Sequence, residues 1–143
     1  MTPMKPTLQA GLAGRRELRV ERESTIDFMG EDARVYATPM LVRDIEIACR
    51  ELLLAHLDAG EDSVGTRIEI DHLAPTLLGM SVTIDAKVAE LKGRAVVFEV
   101  SARDGLDEIC RGRHARFVVD IGQTKKRLQQ KREKLDAGLT ALP

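Results

Sequence analysis

The chain alternates between two hydrophobic periods, and the change from one to the other outlines the fold. From Glu17 to Glu21 apolar and polar residues alternate, with Leu18 and Val20 on one face, which predicts a first strand. Residues 23–37 carry no pattern. Thr38 then suits a helix N-cap, and Pro39 suits the first helical position, where its missing N–H costs nothing. Leu41, Ile45, Ala48, Cys49, Leu52 and Leu53 recur at helical spacing, and Met40, Val42, Ile47, Leu54 and Leu57 widen the stripe. The pattern predicts a largely buried helix from Pro39 to Leu57, about 28 Å long at 1.5 Å per residue, ended by Ala59-Gly60.

Beyond this helix the period is two. Thr66, Ile68, Ile70 and His72 share one strand face, while Arg67, Glu69 and Asp71 share the other. Met80, Val82, Ile84, Ala86 and Val88 mark a second strand, and Val96, Phe98, Val100 and Ala102 a third. A fourth runs from Ile109 to Ile121, with Ala115, Phe117, Val119 and Ile121 on one face. Lys92-Gly93 and Asp104-Gly105 supply turns between them. Short turns make these last strands antiparallel neighbours. One strand, one long helix and four strands predict an α+β hotdog fold, a five-stranded antiparallel sheet curled around a central helix. Residues 1–14 form an N-terminal arm, 15–122 the domain, and 123–143 a basic tail with Lys125, Lys126, Arg127, Lys131, Arg132 and Lys134.

Composition narrows the possible functions. The 143 residues suit one domain, and a net charge of −1 creates no global attraction for nucleic acid or an anionic membrane. Three Phe, one Tyr and no Trp are too few for a base-stacking platform. No apolar run is long enough to span a bilayer, and no secretory pattern opens the chain, so a cytoplasmic location is expected. Cys49 and Cys110 form neither a disulfide framework nor a metal pattern and are expected to be buried thiols. His56, His72 and His114 lack zinc spacing, so no metal and no separate cofactor is expected. No nucleophile elbow, Walker loop or dinucleotide fingerprint is present. The open edges of a sheet wrapped on one helix predict pairing with a second copy, as a homodimer or tetramer.

Three polar residues in apolar settings remain. His72 shares a strand face with Ile68 and Ile70, Glu46 lies between Ile45 and Ile47, and Thr38 opens the helix. A carboxylate drawn from water needs a partner, and one facing a histidine and a hydroxyl is an acid–base centre. Each also has a plainer role: Glu46 as a solvent-facing helix residue, His72 as a satisfied core histidine, Thr38 as a cap.

A resemblance joins these three signals. The run Gly60-Glu61-Asp62-Ser63-Val64-Gly65-Thr66, then His72, Gly79, Lys92-Gly93-Arg94, Val100-Ser101-Ala102-Arg103-Asp104-Gly105 and Asp107-Glu108-Ile109 is similar to the fluoroacetyl-CoA thioesterase family of hotdog enzymes. Gly112-Arg113-His114-Ala115-Arg116 continues the likeness, and Ala37-Thr38, Glu46 and Ala48-Cys49 precede it. The resemblance implies a catalytic Thr38, Glu46 and His72, with Gly65 presenting its N–H to the thioester carbonyl and Thr66, Tyr36 and Arg116 contributing to substrate binding. Glu46 would serve as nucleophile or general base, Thr38 would orient it, and His72 would move a proton. The family carries aromatic residues ahead of the catalytic threonine as a lid. Here Phe28-Met29-Gly30-Glu31-Asp32-Ala33-Arg34-Val35-Tyr36 leaves only Tyr36 close to Thr38, which implies a small or medium acyl group other than fluoroacetyl. The expected partner is therefore an acyl-CoA, with Arg94, Arg113 and Lys125–Arg127 as candidate phosphate contacts. Two other functions fit the fold, a non-hydrolytic acyl-CoA binding module and a hydratase or dehydratase. Asp71 weakens the latter because it faces away from His72.

Overall fold

A computed structural model describes residues 4–138. Strands β1 (Ala13–Arg19), β2 (Thr25–Ile26) and β3 (Val35–Tyr36) precede helix α1 (Thr38–Leu54). Strands β4 (Glu61–His72), β5 (Ser81–Lys92), β6 (Ala95–Arg103) and β7 (Glu108–Asp120) follow, and helix α2 (Ile121–Asp136) ends the description. The main sheet has five antiparallel strands in the order β1-β5-β6-β7-β4. Helix α1 packs against β1, β4, β5 and β7, so the sheet reaches around it to both edges. The expected hotdog arrangement is present.

Leu41, Ile45, Cys49 and Leu53 are fully buried on α1 and meet Val82, Ile84, Val88, Val96, Phe98 and Val100 from the sheet. Burial of each aliphatic side chain contributes about 1.5–3 kcal/mol, which makes this seam the main source of stability. The arm is a capping element: Leu8 is buried, Gly11 N–H donates to Val88 O, and Val88 N–H donates to Leu12 O. Its first three residues, like the last five of the tail, lie outside the described residues.

Several boundaries and neighbours differ from the sequence pattern. The first strand runs Ala13–Arg19 rather than Glu17–Glu21, because pairing with β5 sets its limits. Residues 23–37 contain a short antiparallel pair, β2 with β3, that is too brief to show a period. Strand β4 does not lie beside β5; it pairs with β7 at the opposite edge, and the 73–80 connection crosses over. On β7 the inward face carries His114, Arg116 and Val118, whereas Phe117 is 44% exposed. The apolar members of that alternation therefore face outward. The basic tail is helical as α2, whose side chains are exposed and whose start is capped by Asp120 accepting from Gln123 N–H.

Candidate active site

Helix α1 and strand β4 run antiparallel along one seam, and three contacts join them in order. At the start of α1, Thr38 Oγ1 and His72 Nδ1 share a hydrogen bond of 2.7 Å. In the middle, Glu46 faces Gly65 so closely that a Cβ at position 65 would overlap Glu46 Oε1. Toward the end, Arg50 makes a double hydrogen bond to Asp62, at 3.0 and 2.8 Å. Arg50 holds the Asp62 carboxyl below the usual carboxylate range.

Thr38 is not the N-cap. Ala37 occupies that place without a side-chain bond, and the Thr38 hydroxyl is taken by His72 instead. The imidazole Nε2 of His72 is buried without a hydrogen-bond partner. Burial lowers the His72 pKa and favours the neutral ring. A neutral imidazole with one nitrogen held by a hydroxyl and the other without a partner is suited to proton transfer.

Glu46 is half-exposed, its side chain 42% accessible, and not the enclosed carboxylate its apolar neighbours in sequence suggest. Around Gly65 the β4–β7 register shifts between Gly65 and Arg67, so Thr66 forms a bulge. The extra residue turns Gly65 to the helix side, the side shared by Ile68, Ile70 and His72. The Glu46 carboxylate fills the space that a side chain there would take, so any larger residue would push it aside. Thr66 itself is exposed, and its hydroxyl donates to Ala115 O at 3.2 Å.

Arg116 is buried beside this bulge. Its Nε donates to Ser63 Oγ at 2.7 Å and its Nη2 to Ser63 O at 2.9 Å. Its Nη1 lies 3.7 Å from Glu46 Oε1 and 3.1 Å from His114 Nε2. Ser63 and His114 are site residues that the sequence pattern did not single out. The signal available was the placing of His114 and Arg116 on one strand face, which alternation alone assigns to solvent.

Tyr36 sits elsewhere. It is 1% exposed and its hydroxyl donates to the buried Asp44 carboxylate. Desolvation and that carboxylate both raise the Tyr36 pKa. Among the other candidates, Arg94 donates to Glu61 Oε2 at 2.8 Å and Arg113 lies 3.7 Å from Glu99 Oε1. Both cysteines are free and buried, with desolvation pushing Cys49 up to about 12 and Cys110 to about 11, so neither is a reactive thiolate at neutral pH.

The carboxylate and the imidazole do not meet within one chain. Thr38 and Glu46 are eight helical residues apart, about 12 Å along the axis at 1.5 Å per residue. The Thr38–His72 pair and the Glu46–Gly65–Arg116 group are thus two half-sites on one seam.

Comparison with known proteins gives the family. The family described as fluoroacetyl-CoA-specific thioesterase matches residues 20–122. The fluoroacetyl-CoA thioesterase of Streptantibioticus cattleyicolor is 38% identical over 101 residues, covering 71% of this chain and 73% of that protein. A solved fluoroacetyl-CoA thioesterase structure superposes with a TM-score of 0.80 at 30% identity, covering 87% of this chain and 97% of the other. A thioesterase-superfamily member from Thermus thermophilus gives 0.83 at 30% identity, covering 90% and 96%. The chain belongs to the fluoroacetyl-CoA-specific thioesterase family, hotdog-fold enzymes that hydrolyse acyl-CoA thioesters.

Proposed function

We propose that this protein hydrolyses a small or medium acyl-CoA to the free acid and coenzyme A, with Glu46, Gly65, Thr38 and His72 as the reacting centre. The observation that carries this reading is the contact between Glu46 and the bulged Gly65. It brings the Glu46 carboxylate against a backbone that no side chain shields, and in this reading the thioester carbonyl carbon sits beside the two. Glu46 then attacks that carbon or draws a proton from water, and the Gly65 N–H holds the developing oxyanion. His72, steadied by Thr38, passes a proton to the departing thiolate.

The two half-sites are best joined by a second subunit. Strand β4 is a twelve-residue edge with exposed Val64, Thr66 and Arg67, and open edges of that length are normally covered. A two-fold axis at Glu69 of paired β4 strands, with the Thr66 bulge taking up one position, would set His72 of the partner subunit opposite Gly65. The homodimer is therefore part of the reading. The cationic face of α2, with Arg127 beside an open cavity of about 550 Å³ at the root of the helix, is suited to the phosphates of coenzyme A.

The test uses an acyl-CoA panel with a thiol reagent, then mixed dimers. Glu46→Ala and His72→Ala are each expected to lose activity. Mixed and re-equilibrated, they should regain about a quarter of the wild-type rate, because half of the dimers rebuild one of two composite sites. A wild type that releases no thiol from any acyl-CoA overturns the hydrolase reading. Inactive mixtures overturn the shared site.

A further inference from the structure

We propose that His114 is a positioning residue of this centre: as a neutral imidazole it fastens the Gly65–Arg67 bulge to the Arg116 guanidinium and so fixes the Gly65 peptide against the Glu46 carboxylate. The inference rests on thioester hydrolysis at Glu46 and Gly65.

His114 is 1% exposed in the middle of β7, opposite Ile68 on β4 and Phe98 on β6. An imidazole in such surroundings costs desolvation unless both nitrogens find partners, and both do. Nδ1 lies 2.8 Å from Arg67 O, and a carbonyl only accepts, so Nδ1 carries the proton. Nε2 lies 3.1 Å from Arg116 Nη1, and a guanidinium only donates, so Nε2 offers its lone pair. The two partners together set the tautomer and exclude the cation.

Through these partners the ring is tied to both ends of the bulge. Arg67 is the residue at which the β4–β7 ladder resumes, and Ser63, held twice by Arg116, precedes the bulge. His114 and Arg116 therefore form a brace from Ser63 to Arg67 that spans Gly65 and Thr66. The brace touches the reacting groups as well. A Cβ at Gly65 would stand 3.3 Å from His114 Cε1 and 3.5 Å from Arg116 Nη1, and the same Nη1 is 3.7 Å from Glu46 Oε1.

A second proton on His114 would aim N–H at N–H and bring two cations into contact. The charged groups facing the ring are Arg116 on its own strand and Glu46 on α1. From β4 the ring meets the Arg67 carbonyl, while the Arg67 guanidinium is engaged by Glu69 at 2.9 Å. On β6 the neighbour is the apolar Phe98. Burial lowers the His114 pKa, in agreement with the neutral ring.

Three substitutions in the full chain separate the brace from simple packing. His114→Phe removes both bonds, His114→Gln keeps an acceptor near the place of Nε2, and His114→Asn keeps a donor near that of Nδ1. With the acyl-CoA that the wild type turns over fastest, His114→Phe should lower kcat by about 10–100-fold and move KM by less than about threefold, at a temperature where it is folded. His114→Gln should recover most of that loss. Adding Arg116→Lys should cost more in the Gln background than in the Asn background, where the bond to Arg116 is already gone and only the Ser63 and Glu46 contacts remain to be lost. This coupling also decides the matter if His114→Phe does not fold. A folded His114→Phe with wild-type kcat, or an equal cost of Arg116→Lys in both backgrounds, overturns the inference. A wild type without thioesterase activity overturns the hydrolase reading and the inference with it.

Discussion

Glu46 Oε1 occupies the space that a side chain at Gly65 would need. The carboxylate and the bulged peptide are therefore fitted to each other, and the fit gives a first prediction. Gly65→Ala should fold, because the obstructing atom is the end of a flexible side chain, but Glu46 must move aside. The rate should fall by about 10²–10³-fold, the usual cost of spoiling an oxyanion donor. Gly112→Ala is the contrast: its Cβ would overlap Glu69 O and lie 2.7 Å from Ile70 Cα, both backbone atoms of β4. It should lower the melting temperature or abolish soluble expression. Thermal melts and thiol-release rates of the two variants distinguish a glycine kept for chemistry from one kept for packing.

Thr38 gives a second prediction. Its hydroxyl holds His72 Nδ1 and caps nothing, so a loss of the hydroxyl should affect turnover more than folding. Thr38→Val keeps the shape and should lower kcat by about tenfold or more, while Thr38→Ser should retain most activity. An N-cap role would instead give a melting-temperature loss, with about 1 kcal/mol of stability removed. Paired kinetics and calorimetry on both variants check which of the two occurs.

The fold was legible because its hydrophobic periods are clean. The α1 stripe of Leu41, Ile45, Cys49 and Leu53 is buried as its spacing requires, and so are Val82, Ile84 and Val88 on β5. The position of β4 was not legible, since alternation identifies a strand but not its neighbour. Nor was the Thr66 bulge, which moves Gly65 to the helix side and has no signature in a single sequence. On β7 the pattern misleads for a functional reason: His114 and Arg116 are buried to serve the bulge, and Phe117 and Ala115 are displaced to the outer face. Thr38, Glu46 and His72 stand out in the sequence only as polar residues in apolar settings, each with a plainer reading beside it. Their division into two half-sites depends on three-dimensional spacing.

Tyr36 and Asp44 provide a test of stability. The phenol is the buried partner of a buried carboxylate, 8 residues on in the sequence. Tyr36→Phe removes the hydroxyl and leaves Asp44 short of a donor, at a cost of about 1–3 kcal/mol. The double variant Tyr36→Phe/Asp44→Leu removes both polar groups and should be more stable than Tyr36→Phe alone. Denaturant melts of the three proteins give the values. A Tyr36→Phe protein as stable as wild type would show that the hydroxyl contributes nothing net.

His114, which is buried, and His72, which is half-buried, make stability depend on pH in a definite direction. Burial lowers the pKa of both His72 and His114 below the ordinary histidine value of 6.5. Above that value both rings are neutral in the folded and unfolded chain, and they contribute no pH dependence. As pH falls below it, the unfolded chain takes up protons that the folded chain does not, so unfolding gains on folding. The loss continues until the folded-state values are reached and then levels off. Melting temperature should therefore fall as pH is lowered from 7 through 6 toward 5, in addition to any carboxylate effect at lower pH. His114→Gln removes one of the two groups and should flatten that slope. Melts of the two proteins at matched ionic strength check the assignment, and an identical slope in wild type and His114→Gln would show that the buried imidazole of β7 is not a source of the dependence.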